Sequence, residues 1–134
     1  MEAHPFDLLL ELMQAMGGQI HDAAAAEDLT PMQAMLVDRL EDGVAVPMSD
    51  LARQMHCDKS NLTGIVDALE ARGLIERTTP PGDRRIRALV TTPTGRAVRA
   101  RLDRQLRADN PLLARLDPPT RERLQEILAH VLGY

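Results

Sequence analysis

The stretch Asp58-Lys59-Ser60-Asn61-Leu62-Thr63-Gly64-Ile65-Val66-Asp67-Ala68-Leu69-Glu70-Ala71-Arg72-Gly73-Leu74-Ile75-Glu76-Arg77-Thr78 changes its hydrophobic period midway. Up to Leu69 the apolar residues Leu62, Ile65, Val66 and Leu69 recur at helical spacing, and Asp58 stands where a carboxylate can cap the first turn. Gly73 supplies the stop. Beyond it the period falls to two, and Leu74–Thr78 reads as a strand.

Upstream, Leu51, Ala52 and Met55 mark a shorter helix that Ser49 is placed to cap, with His56-Cys57 left for the tight turn between the two helices. Downstream, Pro80-Pro81-Gly82-Asp83 is a turn, and Ile86–Thr91 reads as a second strand with Arg84 and Arg85 on its approach. Helix, short turn, helix and hairpin in this order predict a winged helix-turn-helix.

Helices flank this unit on both sides. Phe6, Leu9, Leu10, Met13, Met16 and Ile20 recur at helical spacing, with Leu8 and Leu12 widening the stripe. Gly17-Gly18 predicts a kink or a close helix contact, because each Gly costs a helix about 1 kcal/mol relative to Ala. Thr30-Pro31 opens a helix carrying Met32, Met35, Leu36 and Leu40, and Val44–Pro47 reads as extended. Thr92-Pro93 opens a long helix through Val98, Leu102 and Leu106 to Asn110-Pro111, and Asp117-Pro118 opens a last one through Leu124, Leu128 and Val131. A mainly α fold agrees with a composition holding one Phe, one Tyr and no Trp, which disfavours a β-sandwich.

The formal net charge of −4 argues against nucleic acid until it is divided by region. Residues 1–47 hold nine acids and one base, residues 48–107 seven acids and twelve bases, and residues 108–134 four acids and three bases. Positive charge therefore gathers on the winged segment and the helix behind it, the distribution expected of a DNA-facing module. Arg84, Arg85 and Arg87 repel one another unless an anion lies close.

The single Cys57 excludes an internal disulfide, and no apolar run is long enough to span a bilayer. With no signal-peptide pattern at the N-terminus, a cytoplasmic protein is expected. His4, His21, His56 and His130 lack metal-ligand spacing, so no metal or cofactor is expected. Gly-x-Ser-x-Gly, His-Glu-x-x-His and phosphate-loop motifs are missing, and an enzyme is not expected.

Asp50-Leu51-Ala52, the run from Cys57 to Arg77, Asp83-Arg84-Arg85 and Thr92-Pro93-Thr94-Gly95-Arg96 together resemble the reading heads of the multiple-antibiotic-resistance regulator (MarR) family. Leu29-Thr30-Pro31 with Gln33 is similar to that family's opening of helix two, and Thr91 stands where many members have Leu. The resemblance implies one domain over residues 1–134, with dimerisation helices at 1–28 and 93–134 and the winged helix-turn-helix at 30–91. It further implies a homodimeric transcription factor, most often a repressor, that binds a pseudo-palindromic operator in double-stranded DNA. Release by a small anionic or phenolic effector, or by oxidation, is also implied.

On a helical wheel Ser60, Thr63, Gly64 and Asp67 face away from Leu62, Ile65, Val66 and Leu69. Small polar side chains and the missing Cβ of Gly64 let such a helix approach the major groove closely. Asn61 suits adenine, Ser60 and Thr63 suit base edges or phosphate, and Lys59 suits phosphate. Asp67 would repel phosphates and limit insertion to the N-terminal turns.

In the resembling family the arginine two residues after the wing aspartate enters the minor groove, which is Arg85 here. Asp83 is expected to hold a wing arginine by a bidentate pair, and Arg84 to touch the backbone. Met13, Met16, Met32 and Met35 are candidates to line an effector pocket, since Met adapts to varied shapes. Two alternatives remain beside this reading. One is a winged-helix dimerisation module that binds protein, and the other is a redox-sensing regulator acting through Cys57, against the simpler role of Cys57 as a small hydrophobe in the turn.

Overall fold

A computed structural model describes residues 2–134. Helix α1 (Pro5–Ala26) leads through a short turn to α2 (Pro31–Arg39), then to strand β1 (Val46–Pro47), which runs directly into α3 (Met48–Gln54). Helix α4 (Lys59–Ala71), strands β2 (Ile75–Thr78) and β3 (Ala88–Thr91), helix α5 (Pro93–Asp103) and helix α6 (Pro118–Leu132) complete the chain. The sheet is antiparallel in the order β1-β3-β2, with Val46 opposite Leu89 and Arg77 opposite Leu89 on its other side.

Local hydrogen bonding explains where most helices begin. Thr30 accepts from the Gln33 N–H while the Gln33 side chain accepts from the Thr30 N–H, a reciprocal capping box. Asp58, Thr92 and Asp117 cap α4, α5 and α6 in the same one-sided way, each accepting from the N–H three residues on. Helix α3 differs from expectation. Its cap position is Pro47, and Ser49 lies within the helix, because β1 pairs with β3 and the Met48 N–H donates to the Arg87 carbonyl at 2.9 Å, fixing the helix start.

The strands are shorter than their sequence pattern suggests. Leu74 lies in the turn that ends α4: its N–H donates to Leu69 O at 3.1 Å and the Gly73 N–H to Glu70 O at 2.9 Å, with Gly73 at φ 71°. Only glycine adopts that conformation without cost, so it turns the chain from helix to strand. The hairpin tip is a turn closed by the Asp83 N–H on Pro80 O, with Gly82 at φ 93°.

The core lies between α2, the buried face of α4, the sheet and α5, where Leu36, Leu40, Leu51, Leu62, Val66, Leu69, Leu89 and Leu102 are fully buried. Thr91 is buried with them, and its hydroxyl finds no partner among the described residues. Helix α5 docks on the chain turn at Leu74. The Thr92 hydroxyl donates to Gly73 O at 2.6 Å, and a Cβ on Gly95 would overlap the Leu74 carbonyl. A turn of π-helix, Arg104–Ala108, continues α5 to Asn110, whose buried amide bridges Gln19 of α1 and Leu106 O.

Helix α1 runs unbroken through Gly17 and Gly18, and no described atom of another part of the chain stands within 4 Å of where a Cβ on either would lie. The close contact expected there is absent within one chain. Its apolar stripe stays exposed at Phe6, Leu8, Leu9, Leu10, Met13 and Met16, and α6 contributes no buried residue while Ile127, Val131 and Leu132 face outward. A helix so apolar on an exposed face is a surface without its cover.

Candidate nucleic-acid interface

The outward face of α4 is assembled as its wheel requires. Leu62, Val66 and Leu69 are buried, whereas Lys59, Ser60, Asn61, Thr63, Gly64 and Asp67 are exposed. Nothing stands within 4 Å of where a Gly64 side chain would begin, so the first two turns present an open surface.

Asp58 organises the start of this helix. Its Oδ1 accepts from the Asn61 N–H at 2.8 Å and from the Ser60 hydroxyl at 2.9 Å. These bonds, first from Asn61 and then from Ser60, hold its carboxyl below the ordinary value of 3.8. Ser60 can therefore offer a partner its oxygen lone pairs more readily than its proton. The Thr63 hydroxyl likewise donates to Lys59 O at 2.7 Å and retains acceptor capacity. Asn61 and Lys59 keep side chains with no hydrogen-bond partner among the described residues, which suits reading and phosphate contact.

At the wing, Arg84, Arg85 and Arg87 are exposed, and none forms an ion pair among the described residues. The expected bidentate pair from Asp83 is not formed. Its Oδ1 accepts instead from the Arg85 backbone N–H at 2.9 Å. A short Asp side chain reaches the N–H two residues on at no entropic cost in the arginine, so it shapes the loop and leaves the Arg85 guanidinium free.

Helix α4 and the wing enclose a groove of about 440 Å³. Lys59, Arg77, Arg85 and Arg87 supply its charge, and Met48, Leu62 and Ile86 its apolar wall. The structure thus brings the helix and wing candidates Lys59, Thr63 and Arg85 to one concavity. Arg77, which sequence reasoning passed over, joins them; its alternation on β2 was the available signal.

Regional charge has a different origin from the one its count suggests. Arg101 forms a bidentate pair with Glu27, and Arg107 pairs with both Asp38 and Asp103. Arg99 donates to Asp38 O and stands 3.7 Å from Asp42, and Arg72 donates to the carbonyls of Glu27 and Asp28. These arginines fasten α4 and α5 to the acidic α1–α2 segment. Asp38, followed by Asp103, raises the Arg107 pKa against a smaller opposing effect of burial.

The methionine candidates are not gathered into a closed cavity by one chain. Met13 and Met16 are 69% and 47% exposed, Met32 is exposed, and Met35 is half-buried in α2. Cys57 is half-buried against the core beside His56, which has φ 49°, and its thiol points to Asp58 O at 3.4 Å. Among the described residues no cluster of His, Cys, Asp and Glu has the geometry of a metal site, and no helix is long and apolar enough to cross a membrane.

Comparison with known proteins agrees with this architecture. The family model described as "MarR family" matches residues 29–86, from the α1–α2 turn to the wing. A protein of Thauera aromatica named as a transcriptional regulatory protein for the hcr operon is 34% identical over 103 residues, covering 76% of this chain and 62% of that protein. The chain therefore spans less than two-thirds of that relative's length. Among solved structures, the transcriptional repressor CouR bound to a 23-mer DNA duplex superimposes with a TM-score of 0.78 at 27% identity, over 96% of this chain and 92% of that one. Wild-type MarR from E. coli, in its apo form, shares the fold with a TM-score of 0.78 at 20% identity, over 98% and 99% of the two chains. With its capped helix α4, its wing and these matches in hand, the chain is similar over residues 29–86 to the MarR family and shares the winged helix-turn-helix fold of MarR-family transcriptional regulators.

Proposed function

We propose that this protein is a homodimeric repressor that binds a pseudo-palindromic operator through α4 and the wing, and that a small effector releases it. One observation carries the reading. The open polar face of α4 and the wing arginines flank a single groove, and among the described residues Lys59, Arg84, Arg85 and Arg87 form no ion pair while Arg53, Arg77, Arg99, Arg101 and Arg107 do. In this reading Ser60, Asn61, Thr63 and Gly64 face base edges, Lys59 and Arg84 meet phosphates, Arg85 enters the minor groove and Asp83 shapes its loop. The likeness to CouR, described with its DNA duplex, supports the same placement.

Dimerisation is supported by the uncovered apolar faces of α1 and α6. A two-fold dimer places its recognition helices about 34 Å apart, one turn of DNA, which makes the operator palindromic. For the effector, a small anionic or phenolic molecule suits the cationic and apolar groove, where it would compete with DNA. The alternative wall of Met13, Met16 and Met35 requires a partner protomer to close over it.

Nuclease footprinting on the DNA upstream of the protein's own gene tests this reading. A protected imperfect palindrome is expected. Absence of any protection at low salt would favour the protein-binding module instead.

A further inference from the structure

Asp67 stands one turn beyond Gly64 on the outward face of α4, where a bare carboxylate would repel a DNA backbone. It is not bare. Arg77 reaches from β2 across the angle between wing and helix, donating from Nη2 to Asp67 Oδ1 and from Nη1 to Glu70 Oε1, both at 2.6 Å. Its backbone N–H also donates to Glu70 Oε2 at 3.3 Å. The Arg77 side chain is only 28% exposed, against 62% for that of Asp67. Two of its five N–H donors are thereby committed to carboxylates, whose charge offsets its own toward a phosphate.

We infer that Arg77 is a positioning residue for DNA recognition: it fastens the first wing strand to the second half of α4 and masks the charge of Asp67 beside the DNA. This inference rests on the DNA-binding reading above. Two consequences follow from one side chain. Losing Arg77 frees the wing to swing away from α4, and it exposes two acids where the reading helix meets phosphates.

The test is a double-mutant cycle on the full-length protein, read as operator affinity by fluorescence anisotropy on the footprinted fragment. Arg77→Gln is expected to weaken binding by about 10-fold or more, with circular dichroism and oligomeric mass unchanged. Asp67→Asn should restore about 3-fold or more in the Arg77→Gln background and change wild-type affinity far less, because the mask is already present there. A merely structural or direct phosphate-binding role for Arg77 predicts no such coupling, and equal effects of Asp67→Asn in both backgrounds would overturn the inference. Arg77→Lys serves if Arg77→Gln does not fold. As a point charge it satisfies one carboxylate rather than two, so an intermediate loss with the same coupling is expected. Wild-type binding with unchanged affinity in a folded Arg77 variant removes this inference alone, whereas failure of the wild type to bind removes the DNA-binding reading and this inference together.

Discussion

Single residues carry the local decisions of this fold, and their consequences are measurable one at a time. Asp58 joins the cap of α4 to the shape of its reading end. Because its folded pKa is depressed, the stability it contributes is present above its ordinary value of 3.8 and is lost as pH falls through the folded value. Asp58→Asn keeps a capping oxygen without the titrating charge, so its stability should be flatter than that of the wild type between about pH 5 and pH 2 in pH-resolved urea unfolding. A wild-type profile as flat as that of the variant would show that the carboxylate is not the cap. Gly95 makes a different case. Its missing side chain admits the Leu74 carbonyl against α5, so Gly95→Ala should cost about 1–3 kcal/mol or more through overpacking, although Ala is the better helix former. Thermal unfolding at or above the wild-type midpoint would contradict that contact.

Between elements, the arginines of α4 and α5 act as straps. Arg107 holds Asp38, which is 7% exposed, across the join of α2 and the end of α5. Removing Arg107 leaves a carboxylate buried without its cation, a loss that reaches about 3–5 kcal/mol for fully buried pairs. The Arg107 side chain is 56% exposed and the pair is partly screened, so Arg107→Ala should cost about 1–3 kcal/mol by urea unfolding. These straps also mark what sequence could not reveal. Caps at Thr30, Asp58, Thr92 and Asp117 were legible because they join residues three apart, as was the period change at Gly73. The Arg101–Glu27 pair joins residues 74 apart, and nothing in local pattern announces it. The start of α3 was misread for the same reason: a strand pairing with β3 displaced the cap from Ser49 to Pro47. At the wing, Arg85 was legible as an exposed cation, but the role of Asp83 depends on which atoms its short side chain can reach.

At the scale of the molecule, the exposed apolar faces of α1 and α6 are the largest unmet demand of the single chain. The homodimer proposed above meets it, and sedimentation should report twice the chain mass of 14.8 kDa. Leu9→Glu, placed on the uncovered face of α1, should halve that mass while leaving the core around α4 folded. The same variant should lose most operator affinity, since two half-sites must be held together. Whether α4 and the wing read DNA is decided by titrating a footprinted operator fragment with wild-type protein and with Arg85→Ala. A folded, dimeric Arg85→Ala protein should bind about 1–3 kcal/mol more weakly. Equal affinity of the two proteins for the operator would contradict that reading.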